Sequence, residues 1–339
     1  MRATKISRRR LMTGVAGVGA VTILHWPANA AEFTYKFGAS SPMEHPAMAR
    51  TKIAADKIRQ ASNGRLDIGI FPNSQLGGDT AMISQVISGA MQMYLLPIDL
   101  LAPRKPVCGI TGTGFAFPNY DAVWAAMDGD LGKLLRSAAA DLGIYCLETS
   151  YDHGFRQITA KSKAINGPAD LHGFKIRLPV APYFLVLFRH LGAAPTSMNF
   201  SEVYSALQTG VVDGQENPLV LIDTAKLYEV QKYCSLTNHV WSGFHVGFNV
   251  NAWKKLPSDL QDLVTETFTA EVRAQRQDFL KMTQDEQMTL TAKGMVFNTP
   301  DIKPFREVLA KSGFYLEIKN MVGSQQAWDL LQRYVGNLG

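Results

Sequence analysis

Between residues 33 and 96 the apolar positions switch repeatedly between a period of two and a period of 3.6. Alternation over 33–40 and 66–71, and a short apolar run over 91–96, predict strands. Amphipathic spacing over 46–62, closed by Asn63-Gly64, and over 79–88, closed by Gly89, predicts helices. This β-α-β-α-β order implies parallel strands with right-handed crossovers, an open α/β sheet. Helices over 120–127 and 131–142 and a strand over 144–150 extend it. A second α/β series opens near His153, with strands over 155–160 and 175–178, a helical turn over 168–171 and a helix over 182–191 ended by Gly192. A helix over 219–228 and strands near 233–237 and 244–250 follow. From Pro257 to about Lys293 the helical period runs without a proline, with Leu260, Leu263, Val264, Phe268, Val272, Phe279 and Leu280 on its apolar side. About 35 residues at 1.5 Å each give a helix of about 50 Å, enough to reach across two lobes. Two shorter helices, over 304–311 and 324–335, close the chain.

The stretch 199–218, N-F-S-E-V-Y-S-A-L-Q-T-G-V-V-D-G-Q-E-N-P, is the most sharply punctuated. Ser201 stands at an N-cap position with Glu202 in the first turn, and Val203, Ala206 and Leu207 form one apolar stripe. Gly210 stops that helix, Val211-Val212-Asp213-Gly214 reads as a two-valine strand and turn, and Asn217-Pro218 reads as the cap and first residue of a new helix. A helix N-terminus placed there offers an anion site. Residues 83–93 parallel residues 203–213: each runs from an amphipathic helix through Ser/Thr-Gly into a short apolar strand, the pattern of a unit used once per lobe, against the alternative of chance similarity.

Length supports two lobes of about 150 residues in a chain of 339. The formal net charge of +5 is local: Arg2, Lys5, Arg8, Arg9 and Arg10 lie in a first thirty residues that hold no acid, and the remainder carries 29 residues of each sign. A neutral body argues against a nucleic-acid surface. Ser7-Arg8-Arg9-Arg10-Leu11-Met12, the Gly-rich apolar run that follows and Ala28-Asn29-Ala30 have the form of a twin-arginine export signal with a cleavage site, so residues 1–30 are expected to be removed and the rest to act in the periplasm. An uncleaved anchor is the alternative. Beyond Ala30 no apolar run is long enough to span a membrane. Three cysteines, Cys108, Cys146 and Cys234, show no C-x-x-C spacing and allow at most one disulfide; isolated buried thiols are the expectation. There is no G-x-S-x-G, H-E-x-x-H, Walker loop or paired-cysteine zinc pattern, and the seven histidines are scattered. No cofactor or metal site follows.

Three polar residues remain as candidates. Arg177 lies near the end of a predicted strand, where ligands of open α/β sheets bind, and its guanidinium fork matches a carboxylate. Arg156 has the same chemistry, and for both the alternative is a salt bridge to a neighbouring acid. Asn217 is a helix cap, an anion contact, or both. At these residues the chain resembles the solute-binding proteins of TRAP transporters, the DctP family: in Asp170-Leu171-x-Gly173-x-Lys175-Ile176-Arg177 and in the run from Glu202 to Pro218, supported by Asn63-Gly64-Arg65-Leu66, Gln75-Leu76-Gly77, Phe115-Ala116-Phe117-Pro118 and Thr237-Asn238-His239.

The resemblance implies two α/β lobes, a Venus-flytrap arrangement hinged over residues 144–153 and 238–244 and the long helix. Lobe I would take residues 31–152 with about 243–282, and lobe II residues 153–242 with about 283–339. It implies Arg177 paired with the ligand carboxylate, Asn217 on the same group, and Arg156, 21 residues upstream, in support. Trp241 would be an aromatic pocket residue. Some keto-acid binders of that family hold a metal ion beside the ligand, but no set of ligands in this chain establishes one. The implied partners are a small organic acid and the small and large membrane subunits of a permease, with the binding protein a monomer. A periplasmic enzyme using the same cleft, or a sensor feeding a receptor, is the competing reading; no nucleophile or acid–base pair stands beside Arg177 in sequence. Phe155, Trp241, Tyr183 and Phe184 point to a ligand with an apolar or aromatic body.

Overall fold

The structure, a computed structural model, describes residues 31–338. The export-signal reading of residues 1–30 lies outside them. The chain folds as β1 (Phe33–Gly38), α1 (Pro46–Ala61), β2 (Leu66–Phe71), α2 (Asp79–Ser88), β3 (Met93–Pro97), α3 (Tyr120–Met127), α4 (Asp130–Ala140) and a long strand β4 (Ile144–Phe155). Next come β5 (Gln157–Ala160), β6 (Lys175–Leu178), α5 (Pro182–His190), β7 (Ala194–Ser197), α6 (Val203–Thr209), β8 (Gly214–Asn217) and α7 (Leu219–Thr224). β9 (Tyr233–Ser235) and β10 (Trp241–Asn249) lead to α8 (Val250–Lys255), α9 (Ser258–Ala292), β11 (Val296–Asn298), α10 (Lys303–Lys311), α11 (Phe314–Val322) and α12 (Gln325–Val335).

Two sheets result, ordered β2-β1-β3-β10-β4 and β7-β6-β8-β5-β9-β11. In each, three neighbouring strands are parallel, as the β-α-β-α-β order predicts. The expectation of a wholly parallel sheet is corrected by the fourth strand: β10 runs antiparallel to β3 and β4, and β5 antiparallel to β8 and β9. The chain crosses between the lobes there, so each sheet receives a strand from the opposite direction. The repeated unit occupies the same place twice. α2, Gly89 and β3 stand to β1 as α6, Gly210 and β8 stand to β6, and both glycines take the left-handed conformation that ends a helix without steric cost, with φ of 85° and 75°.

Alternation sorts the core. Met93 and Leu95 of β3 face one apolar cluster with α1 and α9, while Tyr94 and Leu96 face the other, with α4, α5 and the last three helices. α9 inserts Leu260, Val264, Phe268 and Val272 into the first cluster at a spacing of four, and Leu290 into a third beneath β9. Leu280 departs from expectation and is exposed, because it lies about 100° round the helix from buried Phe279. β7, β11, α8 and α11 are additions to the predicted elements. β7 is a polar edge strand carrying Pro195, which only an edge tolerates. The three cysteines are free and buried. Among the described residues no helix is long and apolar enough to cross a membrane.

Candidate ligand site

Strand register brings the three polar candidates together. β8 lies between β5 and β6, with Asn217 opposite Gln157 and Gln215 opposite Arg177. Parallel β6 and β8 therefore end at the edge where antiparallel β5 begins, one residue after Arg156. The first sheet presents the equivalent edge: Ser40 follows β1, and Asp99 follows β3 in a 3-10 turn, Ile98–Leu101. Between these edges lies a cavity of about 60 Å³ lined by, among others, Asp79, Asp99, Arg156, Arg177, Asn217 and Phe200. That volume has room for about four to six water-sized groups.

The two arginines are unlike. Arg156, 5% exposed, is consumed by the protein. Its Nε bonds Glu216, its Nη2 donates to Glu216 Oε1 (2.7 Å), to the Glu216 carbonyl (2.8 Å) and to Asn217 Oδ1 (2.9 Å), and Nη1 reaches Ser242 Oγ at 3.3 Å. Burial pushes the Glu216 carboxyl up, but the Arg156 guanidinium and the His239 hydrogen bond (3.0 Å) outweigh it and hold the group below its ordinary range. Arg177, 2% exposed, forms no ion pair among the described residues. Nε and Nη2 donate to the Met198 carbonyl at 3.1 and 2.7 Å, the guanidinium carbon stands 5.8 Å from the Phe200 ring centre, and Nη1 has no protein partner among the described residues. Burial brings Arg177 down to about 10, aided by Arg156 and opposed by Glu216. A buried cation without a counter-ion is costly, and an anion in the cavity relieves it.

The opposite wall is acidic. Asp79 opens α2 and accepts from Ser40 Oγ, from Tyr94 Oη (2.6 Å) and from the Phe200 N–H (3.3 Å). Asp99 is buried; its carboxyl takes a hydrogen bond from its own backbone N–H and none from another side chain among the described residues. Burial pushes it up to about 6 against the pull of Arg156, with Glu216 and Asp79 adding to the rise.

The remaining expectations need correction. Asn217 does not cap a helix: it is the last residue of β8, and its Nδ2 donates to Gln215 Oε1 at 2.5 Å. α7 is only six residues long, and its cap position is Pro218, where the sequence pointed to Asn217. The strand expected at Val211-Val212 begins three residues later, in Gly-Gln-Glu-Asn, whose buried polar side chains bond one another and Arg156. Trp241 is buried away from the cavity, donating from Nε1 to Asp152 (2.9 Å) and packing edge-on against Trp124 and Phe117. Phe155 packs on Tyr120, Tyr183 donates to the Pro106 carbonyl, and Phe184 lies under Arg156. The aromatic surface of the cavity comes instead from Phe200 and Phe244. Asp99 and His153 escaped the sequence reading; the signal for Asp99 was a lone acid inside the apolar run Leu95–Leu101. Among the described residues no three His, Cys, Asp or Glu side chains are grouped to hold a metal ion.

Comparison with known proteins gives one consistent answer. Residues 37–314 match the family described as bacterial extracellular solute-binding protein, family 7 (DctP). The C4-dicarboxylate-binding periplasmic protein DctP of Rhodobacter capsulatus is 34% identical over 265 residues, 75% of this chain and 76% of that protein. The sugar acid binding protein DctPAm of Advenella mimigardefordensis, solved in complex with galactonate, superposes with a TM-score of 0.85 at 27% identity, covering 90% of this chain and 99% of that one. A TRAP periplasmic solute binding protein of Sulfurospirillum deleyianum with bound succinate gives a TM-score of 0.83 at 27% identity, over 90% and 98%.

Proposed function

The chain belongs to the DctP family of extracellular solute-binding proteins, and from that premise we propose that it captures a compact organic acid and hands it to a TRAP permease. The family is one of transport proteins and not of enzymes, which removes the hydrolase or lyase reading. The observation that carries the proposal is Arg177, a buried guanidinium with a free Nη1 beside a small cavity and no counter-ion of its own among the described residues. A ligand carboxylate supplies that charge. Arg156 acts behind it: fixed by Glu216, it holds Asn217 and Ser242 in place and adds positive potential. The volume favours an acid of few carbons. Lobes divided as residues 31–152 with about 243–282, and 153–242 with about 283–339, close over it by rotation at the crossing strands and α9.

Export by the twin-arginine route with cleavage after Ala30, delivery to one small and one large membrane subunit, and a monomeric state complete the reading. A thermal-shift screen tests it. An acid present at about 100 times its dissociation constant adds about 2.7 kcal/mol, a rise of several degrees for a chain of this size. A screen in which only neutral sugars or amines raise the melting temperature overturns it.

A further inference from the structure

Two buried histidines stand at the crossing strand with no part in the carboxylate clamp. His45 caps α1 through its ring: Nδ1 accepts the Ala47 N–H at 3.2 Å, so that nitrogen carries no proton. Burial lowers the His45 imidazole to about 3 and His153 well below its ordinary value, the neighbouring imidazole and Arg156 adding to the effect on His153. Both rings are therefore neutral, and His45 must carry its hydrogen on Nε2. That atom lies 3.2 Å from His153 Nδ1. A neutral imidazole has one donor and one acceptor, so His153 Nδ1 accepts and its hydrogen resides on Nε2. His153 Nε2 has no protein partner among the described residues, and the ring lines the cavity, tilted 37° against Phe244 with the ring centres 4.3 Å apart.

We propose that His153 is a specificity-determining residue, a neutral N–H donor locked by the capping histidine, that reads a hydroxyl oxygen on the body of the ligand. Asp99, on the same cavity, accepts that hydroxyl's hydrogen. The ligand class is thereby narrowed from organic acids to hydroxy acids, against the apolar body that the sequence suggested. The inference rests on the carboxylate reading of Arg177 and deepens it. Gly154 serves the geometry: its φ of 108° is open only to glycine, and it turns β4 between His153 and Arg156.

The test uses small acids paired by one hydroxyl: propionate and lactate, butyrate and 2-hydroxybutyrate, succinate and malate. Calorimetry on the parent is expected to favour a hydroxylated member about tenfold or more over its partner, because a site built to bond a hydroxyl penalises its loss. His153→Phe, which keeps a ring against Phe244 but has no donor, is expected to reduce that ratio to within about twofold; His153→Gln, which restores an N–H, is expected to recover most of it. A ratio that survives in His153→Phe overturns the proposal while leaving the carboxylate reading intact. If no acid of the panel binds the parent, both fall. Nitrogen NMR shifts provide a ligand-free arm: His153 is expected as the neutral Nε2–H form at pH 6, and an imidazolium, or a hydrogen on Nδ1, overturns the relay.

Discussion

On the second-sheet side of the cavity, Arg156 is bonded to Glu216, Asn217 and Ser242, and its charge is balanced inside the protein. On the first-sheet side, Asp99 sits on a strand edge of equivalent topology with no side-chain partner among the described residues. Arg177 belongs to the basic wall by position but to the Asp99 type by chemistry, since its charge is unbalanced. The lesson is that two arginines of one wall do different work. Arg156 is tied into the scaffold, and Arg177 lines the cavity with no acid bonded to it among the described residues; on the proposed reading it is the binding surface. Fold stability and ligand affinity should therefore separate on mutation.

The largest effect is expected at Glu216. Glu216→Ala leaves Arg156 buried without its counter-ion and should lower unfolding free energy by about 3–5 kcal/mol. Urea denaturation at pH 7 reads it, and a loss below about 1 kcal/mol would erase the distinction between the arginines. Arg177→Ala is expected to move the other quantity. Affinity for the acid found by thermal shift should fall by about 3–5 kcal/mol, roughly two to three and a half decades, while ligand-free stability stays within about 1 kcal/mol. Arg177→Lys should remain weak, because an ammonium lacks the two-point fork. Calorimetry showing less than a threefold change in Arg177→Ala defeats the clamp.

Asp99 supplies an intermediate effect with a defined sign. Its folded pKa, about 6, lies above the ordinary 3.8, so the folded state binds the proton more tightly. Its contribution to stability is thus full below pH 3.8 and is lost as pH rises to about 6. About two pH units correspond to about 3 kcal/mol, so ligand-free Asp99→Asn should exceed the parent by that order at pH 7 and lose the advantage near pH 4. Curves that stay parallel across that range would mean Asp99 has a partner.

Asn217→Ala should cost about 1–2 kcal/mol of affinity, as the hydrogen bond it accepts from the Arg156 guanidinium and its orienting role are lost. Smallest is Trp241→Phe. Losing the indole N–H to Asp152 should lower stability by about 1 kcal/mol and leave affinity within about twofold. A tenfold affinity loss there would return Trp241 to the binding surface.

Much of the architecture was legible because local chemistry and tertiary context agree. The 35-residue helix over Ser258–Ala292, the strands Leu66–Phe71 and Lys175–Leu178, and the glycine stops after α2 and α6 follow from period, proline and glycine alone. β8 was misplaced because Gly-Gln-Glu-Asn carries no apolar alternation. It is a strand only because β5 and β6 bond it on either side and Arg156 satisfies its acid.

The sequence by itself determined the α/β class, the repeated unit, the long helix and the short list of cations and amides from which the site is drawn, since these depend on neighbours within a few turns. Only the tertiary structure decided which of them meet at the cavity between the two sheet edges. Arg156 and Arg177 are the same residue type at similar strand ends, and what separates them is Glu216: it stands on the strand between them, and its carboxylate bonds Arg156 and not Arg177. Charge balance in a buried site depends on contacts across strands, and no local pattern encodes those.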